Sequence, residues 1–266
     1  MGPWLAFLLA VCAAQNQEPP AKPEAPKQEP ESKPVPYPGP EGRRAVLHFG
    51  ATGRGLVPVS PFGQNLPLFG PVGSGAVVGS FFRTSKWSDF FKPGIGGSLE
   101  VELLWEDVGS GDAPPPGDAW ISGAYATIGV DRWAGRKVTD DNGQSIDPES
   151  LGVFSLLVGP KVVKHFEGGY FADARLGLGL VHYSEVDADI HPVNLGAQDF
   201  RGEFIAETTT FGMELGIRGG LRTGRMSFVV GGLLRFQAGP GRAAAVGGSP
   251  NELIAVGVDL GVELGF

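Results

Sequence analysis

The segment that most constrains this chain is its last, LIAVGVDLGVELGF, Leu253 to Phe266. One alternate set is Leu253, Ala255, Gly257, Asp259, Gly261, Glu263 and Gly265. The other is Ile254, Val256, Val258, Leu260, Val262, Leu264 and Phe266. A strict period of two places successive side chains on opposite faces of a β-strand. Strands in soluble sandwiches are about 5–6 residues long, whereas a strand that crosses a bilayer needs roughly 9–11. Length and facing together predict a membrane-spanning strand, with Leu260 toward lipid and Asp259 toward an interior.

The same alternation recurs upstream. RMSFVVGGLLRFQAG sets Met226, Phe228, Val230, Leu234 and Phe236 against Arg225, Ser227, Gly231, Arg235 and Gln237. TTTFGMELGIRGGLR sets Phe211, Met213, Leu215, Ile217 and Leu221 against Thr210, Glu214, Gly216, Arg218 and Arg222. In YFADARLGLGLVHY the apolar set Ala172, Ala174, Leu176, Leu178 and Leu180 opposes Asp173, Arg175, Gly177 and Gly179. IGGSLEVELLW separates Leu99, Val101, Leu103 and Trp105 from Ser98, Glu100 and Glu102. AWISGAYATIGVDRW and LGVFSLLVGPKVVKHF alternate less cleanly, and Pro160 in the second predicts a bulge or irregular edge. RAVLHFGA supplies a short first strand, with Leu47 and Phe49 opposite His48. These segments make eight.

Connectors alternate in length. Glu167-Gly168-Gly169 and Thr223-Gly224 are tight turns, whereas 52–94, 134–150, 184–203 and 239–251 read as long loops. That rhythm of short turns at one end and long loops at the other is the one seen in transmembrane barrels. DVGSGDAPPPGD is longer than a short-end turn needs. In the first long loop GAVVGSFF offers an extra strand, which makes ten strands the alternative count. SKWSDFFKPG places Trp87, Phe90 and Phe91 on one face of a short helix, predicted to lie on the outer leaflet. Trp105, Trp120, Phe166, Tyr170 and Phe266 fall near the short-turn strand ends, as an interfacial girdle requires. A soluble barrel with an oily core is the competing reading. Glycine decides against it: the charged parity is also the glycine-rich one, which suits a crowded lumen better than a solvated face.

The N-terminal region is different in kind. MGPWLAFLLAVCAAQ holds an apolar run too short to span a bilayer as a helix and reads as an export signal over residues 1–14, with Cys12-Ala13-Ala14 as small residues for cleavage. LAVC also resembles a bacterial lipobox, which would make Cys12 the lipidated first residue. Residues 15–43, dense in proline and charge, are expected to be a disordered periplasmic spacer, leaving 44–266 for the barrel. The net charge of -8 argues against a nucleic-acid partner, and a single cysteine excludes an internal disulfide.

The terminal Phe266 carries a family resemblance. The chain resembles bacterial outer-membrane β-barrel proteins, the small eight-stranded OmpA/OmpX-like barrels, whose last strand alternates apolar residues and closes on a C-terminal aromatic. The matching positions are Val258, Leu260, Val262, Leu264 and Phe266. The resemblance implies an all-β, transmembrane antiparallel up-and-down barrel in the bacterial outer membrane, surrounded by lipid and lipopolysaccharide. It also implies that the barrel-assembly machinery reads Phe266 as its signal, and that the protein is a monomer.

An eight-stranded interior is just wide enough for side chains to fill. The inward set is Glu100, Glu102, Lys161, Asp173, Arg175, Glu214, Arg218, Arg235, Asp259 and Glu263. Both signs are present, so the expectation is an ion-paired, sealed plug, with Arg175 or Arg218 beside Glu214 and Arg235 beside Asp259 as candidate pairs. A narrow ion or solute channel is the first alternative. The second is hydrolytic: His182, Ser184 and Glu207 share the oily parity near the outer rim and resemble the Ser–His–carboxylate set of lipid A deacylases. The glycine-rich GPGRAAAVGG and GATGRG lack the strand–loop–helix context of a nucleotide site. The histidines at 48, 165, 182 and 191 show no metal-ligand spacing. No cofactor, no metal and no enzymatic activity are therefore expected.

Overall fold

The structure, a computed structural model, describes residues 43–69, 77–107, 120–193, 198–241 and 250–266. The expected export signal with Cys12, the spacer up to residue 42, most of the DVGSGDAPPPGD connector and residues 242–249 lie outside the described residues. In chain order the strands are β1 Arg43–Pro58, β2 Pro61–Phe69, β3 Val77–Lys86, β4 Gly94–Asp107, β5 Trp120–Trp133, β6 Val138–Thr139 and β7 Ser145–Pro148. There follow β8 Leu151–His165, β9 Tyr170–Tyr183, β10 Val186–His191, β11 Phe200–Ile205, β12 Thr208–Thr223, β13 Met226–Gln237 and β14 Leu253–Gly265. A four-residue helix, α1, spans Trp87–Phe90.

Eight of these strands close an antiparallel barrel in the order β1, β4, β5, β8, β9, β12, β13, β14 and back to β1. Every neighbour in the wall is the next barrel strand in the chain, so the topology is up-and-down. The tight turns need backbone with positive φ, and glycine supplies it: Gly168 and Gly169 between β8 and β9, Gly224 between β12 and β13. Closure falls between β1 and β14, paired from His48–Gly265 to Pro58–Ala255. Phe266 continues the seam by donating its N–H to the Leu47 carbonyl at 2.8 Å.

Facing is inside-out relative to a protein in water. Val258 and Leu260 are 62% and 63% exposed, while Asp259 between them is 1% exposed. Strand β5, which alternates poorly by residue type, alternates strictly by burial from end to end. Trp105, Trp120, Phe166, Tyr170 and Phe266 are exposed around the short-turn end, and Phe49 meets Phe266 edge-on at 5.8 Å. An oily wall around a charged interior suits a barrel surrounded by lipid.

Four expectations about the elements are corrected. The first strand is not short: β1 continues through Thr52, Arg54 and Leu56, which point inward, while Gly53 and Gly55 occupy the outward parity and erase the hydrophobic signal. Pro160 makes no bulge, because the β8–β9 pairing keeps its register from Val158–Leu178 to Lys161–Arg175 and merely skips the proline. GAVVGSFF does contribute a strand, but β3 pairs with β2 in a separate two-stranded sheet, so the barrel has eight strands and not ten. The long connectors are not plain loops either: β11, β10, β7 and β6 form a four-stranded sheet beyond the barrel rim.

These excursions share one core with the outer end of the lumen. Phe62, Phe81, Trp87, Phe90, Phe91 and Phe204 from the excursions are buried in the same cluster as Leu56, Trp133, Val181, Tyr183, Leu233 and Leu253 from the barrel strands. Phe62 stacks on Phe204 at 5.2 Å and meets Trp87 edge-on at 4.8 Å. The helix carrying Trp87 and Phe90, with Phe91 just after it, is therefore turned into this cap and not onto the outer leaflet. Its apolar face finds aromatic partners there, and burying each such side chain contributes about 1.5–3 kcal/mol.

Candidate functional site in the barrel interior

The inward faces form three layers. Nearest the long-loop end is the aromatic cap. Nearest the short-turn end, Leu104, Ile121, Val163, Phe171 and Val229 make a smaller apolar cluster. Between them lies a layer of charge. All ten inward residues named from the sequence are buried in it, at 3% exposure or less. Arg54 and Asp131 belong to the same layer, at 6% and 1% exposure.

The twelve side chains form one connected set. Nearest the cap, Arg54 grips Asp131 through two hydrogen bonds of 2.5 and 2.8 Å. Arg235 donates to Asp131 at 2.5 Å and pairs with Glu214, which faces it directly across the β12–β13 ladder. Glu214 also accepts Arg175 at 3.2 Å. Arg175 reaches Glu100 at 2.6 Å and Asp259 at 3.1 Å, with its guanidinium 5.4 Å above the Tyr125 ring. Arg218 is the hub: it binds Glu100 at 2.9 Å, Glu102 at 3.1 Å, Asp173 at 3.2 Å and Glu263 at 2.8 Å. Lys161 ends the chain on Glu102 at 2.6 Å, with Asp173 at 3.3 Å and Glu263 at 3.6 Å. Every cation reaches at least two carboxylates, the condition under which buried charges are tolerated.

Two of these contacts cross the whole interior. In the barrel order, β12 is four strands from β4 whichever way the wall is followed, and β13 is likewise four from β5. Arg218 on β12 bonds Glu100 and Glu102 on β4, and Arg235 on β13 bonds Asp131 on β5. Glycine makes room for this crossing. A Cβ at Gly231 would stand 2.4 Å from Arg218 Cγ and 2.7 Å from an Asp259 oxygen, and one at Gly129 would stand 2.3 Å from Arg54 Nη2.

Of the candidate pairs, Arg175 and Glu214 do meet, but Arg235 and Asp259 do not pair. Arg235 lies opposite Ala255 and Asp259 lies opposite Gly231, a stagger of four residues or roughly 13 Å along the strand. Arg235 turns to Glu214 and Asp131 instead, and Asp259 to Arg175. Arg54 escaped sequence reading because it sits in the stretch assigned to a loop. Asp131 escaped because the inward parity of β5 also holds Ile121, Tyr125 and Trp133, which obscures the charge pattern.

The fold also assembles a group that sequence spacing did not show. His48, Glu102 and Glu263 bring ligand atoms within 4.8 Å of one another. Lys161 and Arg218 already hold both carboxylates, so a metal ion would have to displace them. At the outer rim, His182 Nε2 lies 3.4 Å from Glu207 and its Nδ1 lies 3.0 Å from Thr209 Oγ1. Ser184 Oγ accepts the Gly152 N–H at 2.9 Å. The histidine and carboxylate of the hydrolytic set thus meet, while the serine oxygen is engaged by backbone.

No protein-family model matches the chain, and no curated protein matches it. Among solved structures it is similar to Neisserial surface protein A at 11% identity, covering 85% of this chain and 100% of that one, with a TM-score of 0.35. It is similar to Ail, the attachment invasion locus protein of Yersinia pestis, at 14% identity over 85% and 99% of the two chains, with a TM-score of 0.34. It is also similar to the outer membrane protease OmpT from Escherichia coli, at 10% identity over 86% and 98%, with a TM-score of 0.38. Likeness at this distance transfers no activity. By its own strand order and facing, the chain folds as an all-β, eight-stranded antiparallel up-and-down barrel of the transmembrane kind.

Proposed function

We propose that this protein is a monomeric bacterial outer-membrane barrel with a sealed lumen, structural or surface-interacting, which holds its folded outer cap at the cell surface. The observation that carries this reading is the pair of cross-lumen contacts, Arg218 to Glu100 and Glu102, and Arg235 to Asp131. A pore that conducts leaves water along its axis, whereas here guanidinium groups bridge opposite walls under an apolar cap. In this reading the charged layer fixes the barrel's cross-section, and recognition belongs to the cap and rim.

Two measurements test it. Refolded protein should migrate differently on gels when boiled and unboiled, and should fractionate with outer membranes. In planar bilayers it should show no steady conductance for salt. A reproducible open channel, altered when Arg218 or Arg235 is neutralised, would overturn the sealed lumen and favour a narrow channel.

A further inference from the structure

The outer rim carries a basic sector. Segments 83–95 and 132–141 carry six cations, Arg83, Lys86, Lys92, Arg132, Arg136 and Lys137, against three carboxylates. All six cations are exposed. Segments 147–149, 185–191 and 199–207 carry eight carboxylates against Arg201, and that arginine is already held by Glu149 and by Asp187 at 3.2 Å. Net charge is therefore +3 over the first two segments and -7 over the other three, which adjoin them through the β6–β7 pairing.

The basic side is one continuous structure. Lys92 donates its N–H to the Ala134 carbonyl at 2.9 Å, and Arg136 donates to the Phe90 carbonyl at 2.7 Å. Ile95 lies directly opposite Arg132 in the β4–β5 ladder, and Arg83 Nη1 reaches the Thr139 carbonyl at 3.4 Å. Among the described residues, Lys92, Arg132, Arg136 and Lys137 make no ion pair.

Its height on the wall is set by β5. The outward parity of that strand runs from Trp120, 67% exposed in the girdle, to Val130, 59% exposed, and then to Arg132. Ten residues at about 3.3 Å each, tilted by roughly 40°, rise about 25 Å, the height of the apolar band of such barrels. Arg132 therefore stands two residues beyond the oily wall, where lipid headgroups begin, directly above Val130 and beside Ile95, which is 76% exposed.

We propose that this sector, Lys92, Arg132, Arg136 and Lys137 above Ile95 and Val130, binds the phosphate groups of a phosphorylated outer-leaflet glycolipid whose acyl chains lie along β4 and β5. The inference rests on the membrane reading above. Guanidinium and ammonium groups favour phosphate oxygens, and the wall below takes hydrocarbon. The occupant is a lipid and not free phosphate, because the cations sit at the edge of an exposed apolar wall and not in an enclosed polar recess.

The test uses full-length protein in phosphatidylcholine nanodiscs doped with a bis-phosphorylated glucosamine-disaccharide lipid, or with the same lipid after both phosphates are removed. Lipid retained on the protein is counted by native mass spectrometry. The phosphorylated lipid should be retained and the dephosphorylated one lost. Arg132→Glu combined with Arg136→Glu should lower retention roughly tenfold or more, and Arg225→Glu at the short-turn end should leave it unchanged. Equal retention by wild type and the double variant, with both inserted and heat-modifiable, would overturn the site while leaving the membrane reading intact. Inorganic phosphate competing at concentrations comparable to the lipid would overturn the lipid as occupant. Failure of wild type to insert at all would overturn both readings.

Discussion

The interior of this barrel is filled by two materials, charge in the middle and aromatic rings beneath the outer cap. Both layers are as buried as any core, yet they depend on different physics. Rings such as Phe62 and Phe204 contribute by leaving water, and each contact adds a little in any of several orientations. The ions contribute only if every partner is present. Each buried charge costs several kcal/mol in desolvation, and geometry alone recovers it. The cap should therefore tolerate conservative exchange, whereas the charged layer should fail when one member is removed.

The sharpest way to break that contrast is Arg218→Ala. It takes a cation from Glu100, Glu102, Asp173 and Glu263 at once, leaving Arg175 to the first and Lys161 to the other three, and removal of one partner from a buried set costs about 3–5 kcal/mol. Denaturant unfolding in detergent should show a loss at the upper end of that range. A loss below that of an exposed variant would mean that the layer is hydrated.

Phe204→Ala tests the other material. It removes a ring that stacks on Phe62 and touches Phe90, at a cost of about 3 kcal/mol. Because the cap lies beyond the charged layer, the damage should appear as faster proteolysis of the outer excursions while the barrel remains heat-modifiable. Phe204→Leu should recover most of the stability, which no single replacement of Arg218 should do.

The outer wall gives a smaller effect. Leu260→Arg places a charge on the face opposite Asp259, and an arginine on the lipid side near the midplane costs roughly 2–4 kcal/mol. Stability equal to wild type in refolding titrations would reverse the assignment of the two faces. Smallest of all should be Arg201→Ala. Its pairs with Glu149 and Asp187 are exposed, and exposed pairs contribute about 0–1 kcal/mol. The hydrogen bonds it donates to Glu149 and then Asp187 hold its guanidinium pKa above the ordinary value, so it stays charged at any working pH and offers no titration signal.

Legibility followed the layers. Alternation was plain in β9, β12 and β14 because their inward residues in the middle layer are charged or glycine, and in β13 Gly231 and Arg235 carry it on either side of Leu233. It blurred in β5 because Ile121 and Trp133 point inward at the two apolar ends, where residue type no longer separates lumen from lipid. It vanished at Gly53 and Gly55, whose outward positions carry no side chain to read. The helix at Trp87–Phe90 was visible in its spacing, but its destination was not, since Phe62 and Phe204 lie far from it in the chain.

By itself, the sequence determined the barrel class, the strand count of its wall, the facing of the clean strands and the identity of ten interior charges, because a period of two is a local property of the backbone. Only the tertiary structure decided which charges meet. Arg218 and Glu102 are brought together by closure of the wall, and Arg235 is turned from Asp259 to Asp131 by a stagger of four residues. It also decided that the long connectors fold into a cap, because each presents an apolar face that finds its partner in another connector and in the open end of the barrel. Pairing across a lumen depends on register, tilt and closure, and these are properties of all eight strands together.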